Sequence, residues 1–341
     1  MKFEMLPKER VRRAIDFSYP DRPPISHAVL PSAQIAYGEE LKELLLEVDE
    51  DFGWSTLPDL APEDYPPQYK KGSHADGFGT VWFGEKLGIC GIPKEYPLAD
   101  LDNYASYKWP EFDVGTPSHK LYSGHVNNSN KRYYARGGWI VYFEQAQQLR
   151  GFSELMMDLA LEDPRNQIFM EGLLDFNLRY VDKWIAAGYE GIHFADDWGT
   201  QRALMISPDM WRKIFKPAYK KMFEKVRDAG MDVHFHSDGQ IRDILPDLID
   251  IGASVINCQV SVVGLEHIKK EYKGKVCFRT DLDRQYVMVF GSPKEVRSHI
   301  RDVFTHLGDA SGGIIACGEI GDDTPLTNIR AMYEEFVNFQ F

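Results

Sequence analysis

The sequence predicts an α/β fold, a (β/α)8 TIM barrel with an N-terminal helical and hairpin excursion. Three observations carry this. From about residue 133 onward, short apolar runs of strand length alternate with longer stretches of helical periodicity, the pattern of βα units on a parallel sheet. Helix punctuation recurs on that schedule. Gly188, Gly230, Gly252 and Gly308 each follow a helical stretch, and Ser207-Pro208 and Ser292-Pro293 each open one, as C′ glycines and N-cap-plus-N1 pairs do. No Gly-rich phosphate loop follows the first apolar run, which favours a barrel over a doubly wound sheet.

Taken in order, Pro7 and the following KERVRRAIDFS read as an amphipathic helix with proline in its first turn. The breaker YPDRPP ends it. Ile25–Leu30 is the first strand candidate, and Ala33–Leu46 a helix with Ile35, Leu41, Leu44 and Leu45 near one face. Residues 54–121 are rich in Pro, Gly, Tyr and Trp and carry little helical periodicity. They read as an excursion beside the barrel mouth, with the run FGTVWF as a hairpin strand. Later strand candidates are Arg132–Ala135, Gly191–Ala195, Asp232–His236, Ser254–Asn257, Val276–Thr280 and Gly313–Cys317. Helical stretches alternate with them: Gly151–Leu161, Arg165–Ala187, Pro208–Ala229, Ile241–Ile251, Leu265–Tyr272, Pro293–Leu307 and Asn328–Phe339. The 341 residues thus read as a single barrel domain.

Composition bounds the function. The formal net charge of −13 argues against nucleic acid or an anionic membrane as partner. No apolar run approaches the ~20 residues of a membrane-spanning helix. The N-terminus carries basic residues without an apolar block, so no secretory signal is expected. Four cysteines, Cys90, Cys258, Cys277 and Cys317, stand far apart with no CxxC pair. They suit a cytoplasmic chain with free or metal-bound thiols better than a disulfide framework.

In such a barrel the strands' carboxyl ends carry the chemistry. His234 and His236 alternate with Val233 and Phe235 and share one strand face. His236 stands at the end of that strand with Asp238 just beyond; His234 lies deeper and reads as an interior histidine. GIHFA is followed by Asp196, Asp197, Trp198 and Gln201, VINCQ ends in Asn257 and Gln259, VCFRT is followed by Asp281, and GGIIA by Cys317 and Glu319; Glu144 follows the strand-like WIVYF. Any one Asp here could merely cap the next helix, and Cys258 and Cys277 read as small core residues. His236, Asp238 and Cys317 together offer nitrogen, carboxylate and thiolate, the usual zinc ligands, with a position left open for substrate. A metal-free His236–Asp238 acid–base pair is the alternative.

The chain resembles the uroporphyrinogen decarboxylase superfamily nearly end to end. The resemblance rests on PKERVRRAIDFSYPDRPPI, DGFGTVWFG, DDWGTQRALMISPDMWRKIFKPAYKKMFEKVRDAG, HSDGQI and CGEIGDDTPLTNIRAM. It implies a (β/α)8 barrel and two candidate activities. True decarboxylases of the family hold a tetrapyrrole polycarboxylate with an Arg-rich N-terminal loop and use no cofactor. Here no Arg stands between Arg22 and Arg132, and arginine is the natural carboxylate clamp. The zinc-dependent, corrinoid-linked methyltransferases resemble this chain more. Their His-x-Cys-Gly and late Cys correspond to His236-Ser237-Asp238-Gly239 and Cys317-Gly318, with Asp238 in place of the thiolate.

That resemblance implies a methyltransferase with zinc as Lewis acid on His236, Asp238 and Cys317, and Glu144 as a further ligand. Catalysis would fall to His236, Asp197 and Asp238. Glu144, Asp196, Trp198, Gln201, Gln259 and Asp281 would bind or position the substrate, with Trp82 and Trp198 as apolar surfaces. No cobalamin-binding segment of the DxHxxG type occurs, so the corrinoid would come from a partner protein. The implied partners are that protein, a small methyl donor or acceptor, and a second copy in a homodimer.

Overall fold

The structure, a computed structural model, describes residues 5–53, 61–112, 114 and 132–341. Its strands in chain order are β1 (Ala28–Val29), β2 (Gly72–Ala75), β3 (Val81–Gly84), β4 (Ile92–Glu95), β5 (Arg136–Ile140), β6 (Gly191–Ala195), β7 (Asp232–Ser237), β8 (Val255–Cys258), β9 (Cys277–Arg279), β10 (Ile314–Ile315) and β11 (Glu319–Ile320). β5 to β10 form one six-stranded parallel sheet in chain order. Helices run between successive strands, as parallel pairing demands of its crossovers.

The two edges of this sheet are joined through the N-terminal segment. Beside β10, Ile25 pairs in parallel with Ala316, and β1 pairs in parallel with β11. Beside β5, the Tyr134 amide donates to the Asp51 carbonyl and the Asp51 amide to the Ile25 carbonyl. One residue there stands in for a ladder, and its side chain reinforces the link. The buried Asp51 carboxylate accepts from the Ile25 amide at 2.7 Å, Arg10 at 2.6 Å and Arg22 at 2.8 Å.

Most of the elements fall where the sequence puts them. β6 and the helix Leu265–Tyr272 match their predicted ranges, as does Pro293–Leu307 with Ser292 and Glu295 in a capping box. Two differences have clear causes. β5 begins at Arg136, four residues later than the predicted strand, and runs through Gly137 and Gly138. A side chain at Gly137 would lie 2.6 Å from the Trp184 ring, and Gly138 takes φ +85° where the register with β6 shifts. These glycines are a close approach and a bulge, not a strand end. The long helix expected over residues 208–229 is two helices, Pro208–Ile214 and Lys216–Asp228. Pro217 has no N–H to continue the first.

The described part of the excursion holds an antiparallel sheet, β2-β3-β4, with Trp82 paired opposite His74. It packs beside the first-strand end of the molecule, where Lys86 pairs with Asp322 at 2.7 Å. Residues 54–60, 113 and 115–121 of the expected excursion lie outside the described residues. Among the described residues no helix is long and apolar enough to cross a membrane.

Candidate active site

Parallel pairing sets Ala195 of β6, His236 of β7 and Asn257 of β8 side by side at one level of the sheet. Beyond that level the chain leaves β6 as Asp196-Asp197-Trp198-Gly199 and β7 as Asp238-Gly239. The two loops cross main chain to main chain. A Cβ on Gly239, which sits at φ +77°, would lie 2.1 Å from the Gly199 carbonyl oxygen, and one on Gly199 would lie 2.3 Å from the Gln240 nitrogen. Only glycine fits at either position. The crossing is fastened by the Gly199 amide on the Asp238 carbonyl at 3.2 Å, the Gln240 amide on the Thr200 carbonyl at 2.8 Å, and the Asp238 amide on Asp197 Oδ1 at 2.8 Å.

His236 is held in one tautomer. Asn257 Nδ2 donates to the Arg279 carbonyl at 2.9 Å, which orients the amide and leaves Oδ1 as acceptor. Oδ1 receives Arg279 Nη1 at 3.1 Å and lies 2.7 Å from His236 Nδ1. The imidazole proton therefore sits on Nδ1, and Nε2 presents a lone pair. Nε2 is 3.6 Å from Asp197 Oδ1 and 3.7 Å from Asp238 Oδ1. One donor atom from each of Asp197, His236 and Asp238 lies within 4.8 Å of the others. Ligand atoms about 2.0–2.1 Å from a tetrahedral ion stand roughly 3.4 Å apart, so this spacing fits a divalent cation. Two carboxylates and an imidazole make a harder donor set than thiolates, and one that zinc accepts. Arg284 closes the outer side, pairing with both Asp238 and Glu319.

An acidic wall stands behind this group. Burial pushes the Glu144 carboxyl well above its ordinary range, and Asp197, Asp196 and Asp238 add to the effect. Asp196 is buried and accepts from the Tyr142 and Glu144 amides at 2.8 Å each and from the Tyr219 hydroxyl at 2.5 Å. It fixes the turn that presents Glu144. Burial pushes Asp281 up to about 7, with Arg284 pulling against it and Asp238 and Glu319 adding to it.

Below the loops lies a cavity of about 170 Å³ whose lining includes His236, Asn257, Trp139, Asp281, Cys317 and Glu319. Arg136, Arg279 and His193 line it too. His193 and His234 are buried and pushed well below the usual imidazole range by desolvation, with the two arginines adding; both are neutral at pH 7. Burial raises the Cys317 thiol against the pull of Arg279 and Arg136, so it holds its proton.

Of the residues the sequence singles out, His236, Asp197 and Asp238 converge. Cys317 lines the cavity but lies outside their donor group. Asp281 and Glu319 line the cavity, and Glu144 borders the acidic group. Gln259 is buried and takes the Gly239 amide on Oε1 at 3.0 Å, bracing the β7 loop. Gln201 is exposed and outside the cavity lining. Trp198 is fully buried, stacked on Phe143 with ring centroids 3.9 Å apart, and packs the core beneath the loops instead of facing a substrate. Trp82 is buried in the excursion, its Nε1 on Asp76 at 2.8 Å. Trp139 is the tryptophan at the cavity; its ring centroid lies 5.0 Å from that of His193. Sequence reasoning missed it, along with Arg136 and Arg279. The alternation of β9 was the available signal for Arg279, two residues from the inward-facing Cys277.

Comparison with protein families matches residues 141–338 to uroporphyrinogen decarboxylase (URO-D). No curated protein matches the sequence. Among solved structures, a methyltransferase from Methanosarcina mazei superposes with a TM-score of 0.73 at 14% identity, over 98% of this chain and 99% of that one. A dihydropteroate synthase from Coxiella burnetii, solved with pteroic acid, aligns over 48% of this chain and 62% of its own, with a TM-score of 0.33 and 14% identity.

Proposed function

The chain belongs to the uroporphyrinogen decarboxylase family, and on that premise we propose that it is a methyltransferase of (β/α)8-barrel architecture. It would move a methyl group between a small substrate and a corrinoid brought by a partner protein. The observation that carries the reading is the donor group Asp197–His236–Asp238 with His236 Nε2 held free by Asn257. A ligating histidine whose other nitrogen is fixed by a neighbour is what a built metal site requires. Asp197, His236 and Asp238 would hold the zinc ion. Bound there, it supplies Lewis acidity to the substrate heteroatom that carries or receives the methyl group.

The chain's own residues do the rest. Asn257 keeps the His236 proton on Nδ1. Asp196, through the Glu144 amide, sets the Glu144 carboxyl beside the donor group, where it can give a proton to a departing heteroatom or hold one. Arg284 balances the charge of Asp238 and Glu319 at the outer edge. Trp139 and the walls of the cavity exclude water from the reacting face. Cavity size favours this reading over the tetrapyrrole decarboxylase. A space of about 170 Å³ among the described residues suits a small molecule, whereas pockets for drug-sized ligands run to roughly 300–1,000 Å³.

Metal analysis of protein purified without chelator tests the assignment. Wild type and Cys317→Ser should each carry about one ion per chain, and His236→Ala should carry none. Wild type that folds but takes up no zinc when offered it removes the proposed site.

A further inference from the structure

Two arginines are buried in the wall of the cavity, and among the described residues neither has an ion-pair partner. Arg136 and Arg279 are 6% and 9% exposed. Arg136 Nε and Nη1 and Arg279 Nε are buried without a hydrogen-bond partner. Among the described residues neither guanidinium is ion-paired: Arg136 lies over the Phe52 ring at 5.8 Å, and Arg279 donates to the neutral Asn257 amide. The groups facing them are a protonated thiol, Cys317, the neutral imidazoles of His193 and His234, and Asp281, which lines the cavity and feels Arg279 without an ion pair to it, its carboxyl pushed up to about 7 by burial. The two arginines repel each other, and burial together with this repulsion pushes Arg136 below its ordinary range. It stays charged at neutral pH all the same. An uncompensated buried charge is strongly destabilising, and orphaned buried donors are rare enough that each calls for a partner. In a chain of net charge −13, two such cations in one cavity mark a place for an anion.

We propose that Arg136 and Arg279 form a carboxylate clamp, and that the substrate is a small organic carboxylate. This rests on the methyltransferase reading for the reaction but not for the binding. The cavity is bipolar. Arg136 and Arg279 line one part of it, and His236, the member of the donor group that reaches the cavity, lines another. Asn257 spans them, its Oδ1 taking both His236 Nδ1 and Arg279 Nη1. A carboxylate on the guanidiniums is thereby oriented with the rest of the molecule toward His236, along the face of Trp139. The planar fork of arginine matches the two oxygens of a carboxylate. Two arginines suit one such group on a small ligand, not the many of a tetrapyrrole. The clamp residues come from strands β5 and β9, which is why the lack of arginine between Arg22 and Arg132 does not exclude carboxylate recognition.

The test is binding to the full-length protein, followed by calorimetry and thermal shift, with acetate and benzoate as probes and acetamide and benzamide as neutral matches of the same shape. Benzoate or acetate should bind and raise the melting temperature while its amide does neither. Arg136→Met and Arg279→Met should each weaken the carboxylate roughly ten- to hundredfold, the range for a lost hydrogen bond to a charged group. Arg136→Met should also leave the ligand-free protein as stable as wild type or more so, because it removes a buried unpaired charge; a merely structural arginine would lower stability. Wild type that binds neither carboxylate, binds amide and carboxylate alike, or is protected equally by chloride at the same concentration overturns the clamp. So does carboxylate affinity that survives both substitutions. Zinc content read on the same samples separates the two ideas. Lost carboxylate binding with zinc retained confines the failure to the clamp, and carboxylate binding without zinc confines it to the metal site.

Discussion

Replacing Asn257 with leucine should weaken the metal site without touching a ligand. The side chain makes four hydrogen bonds, two on Oδ1 from His236 and Arg279 and two from Nδ2, to the Arg279 carbonyl and, at 3.4 Å, to the Thr280 carbonyl. Leucine is of similar size and keeps the packing, but it strands the His236 Nδ1 proton, Arg279 Nη1 and the Arg279 carbonyl. At about 1 kcal/mol per bond, with more for donors left buried, the loss of stability is roughly 2–4 kcal/mol. The imidazole is then free to rotate or change tautomer, and outer partners of metal-bound histidines typically contribute about 10–100-fold in affinity. Competition with a chromophoric chelator reads the zinc affinity, and urea denaturation of the zinc-free protein reads the stability. Asn257→Asp is the counterpart: it keeps an acceptor for Nδ1 and should retain zinc binding. A leucine variant that is folded and holds zinc within twofold of wild type would refute the argument that Asn257 fixes Nε2 for the metal.

Two other outcomes follow from geometry and from charge. Gly239→Ala puts a Cβ 2.1 Å from the Gly199 carbonyl at a residue with φ +77°. It should lower stability by at least about 1–3 kcal/mol and reduce zinc affinity by moving Asp238, both measurable by the same titrations. Asp281 keeps in the folded protein, up to about pH 7, a proton that an aspartate in the unfolded chain releases near its ordinary value of 3.8. The stability this contributes is fully present below about pH 4 and is lost as pH rises through about 7. The urea midpoint of wild type should therefore fall more between pH 5 and pH 8 than that of Asp281→Asn; parallel falls would mean that the carboxyl is not desolvated.

The parts of the site legible in the sequence are those governed by local periodicity. Alternation in DVHFHS places His236 at a strand end with His234 one step deeper, and that is where both stand. Asp238 follows from simple adjacency. The partnership of Asp197 with Asp238 depends on two loops crossing at Gly199 and Gly239, a contact between glycines 40 residues apart that no local pattern reports. Trp198 shows the converse. An aromatic residue just past a strand reads the same whether it faces the mouth or turns down onto Phe143, and the choice is made by helix residues such as Trp211 and Phe215. The sequence places a strand at Arg132–Ala135, short of β5, because two glycines resemble a break when the Trp184 ring that requires one of them is unseen. Cations carried inside strands, such as Arg136 and Arg279, look like ordinary strand residues until the sheet brings them to one cavity.

The crossing of the two glycines bears on how such a site can change over generations. Its fastening is main chain to main chain but for two contacts, the Asp238 amide on Asp197 Oδ1 and the Trp198 amide on Ser237 Oγ, neither of which uses the Asp238 side chain. The loop path therefore depends little on which side chain occupies position 238. A thiolate there would reach the same place from the same backbone, and the preference of the site for hard or soft ions would shift by a single replacement, with the scaffold left as it is. Selection can in this way retune the ion, and with it the heteroatom being activated, while the glycines that make the exchange harmless are themselves unable to vary.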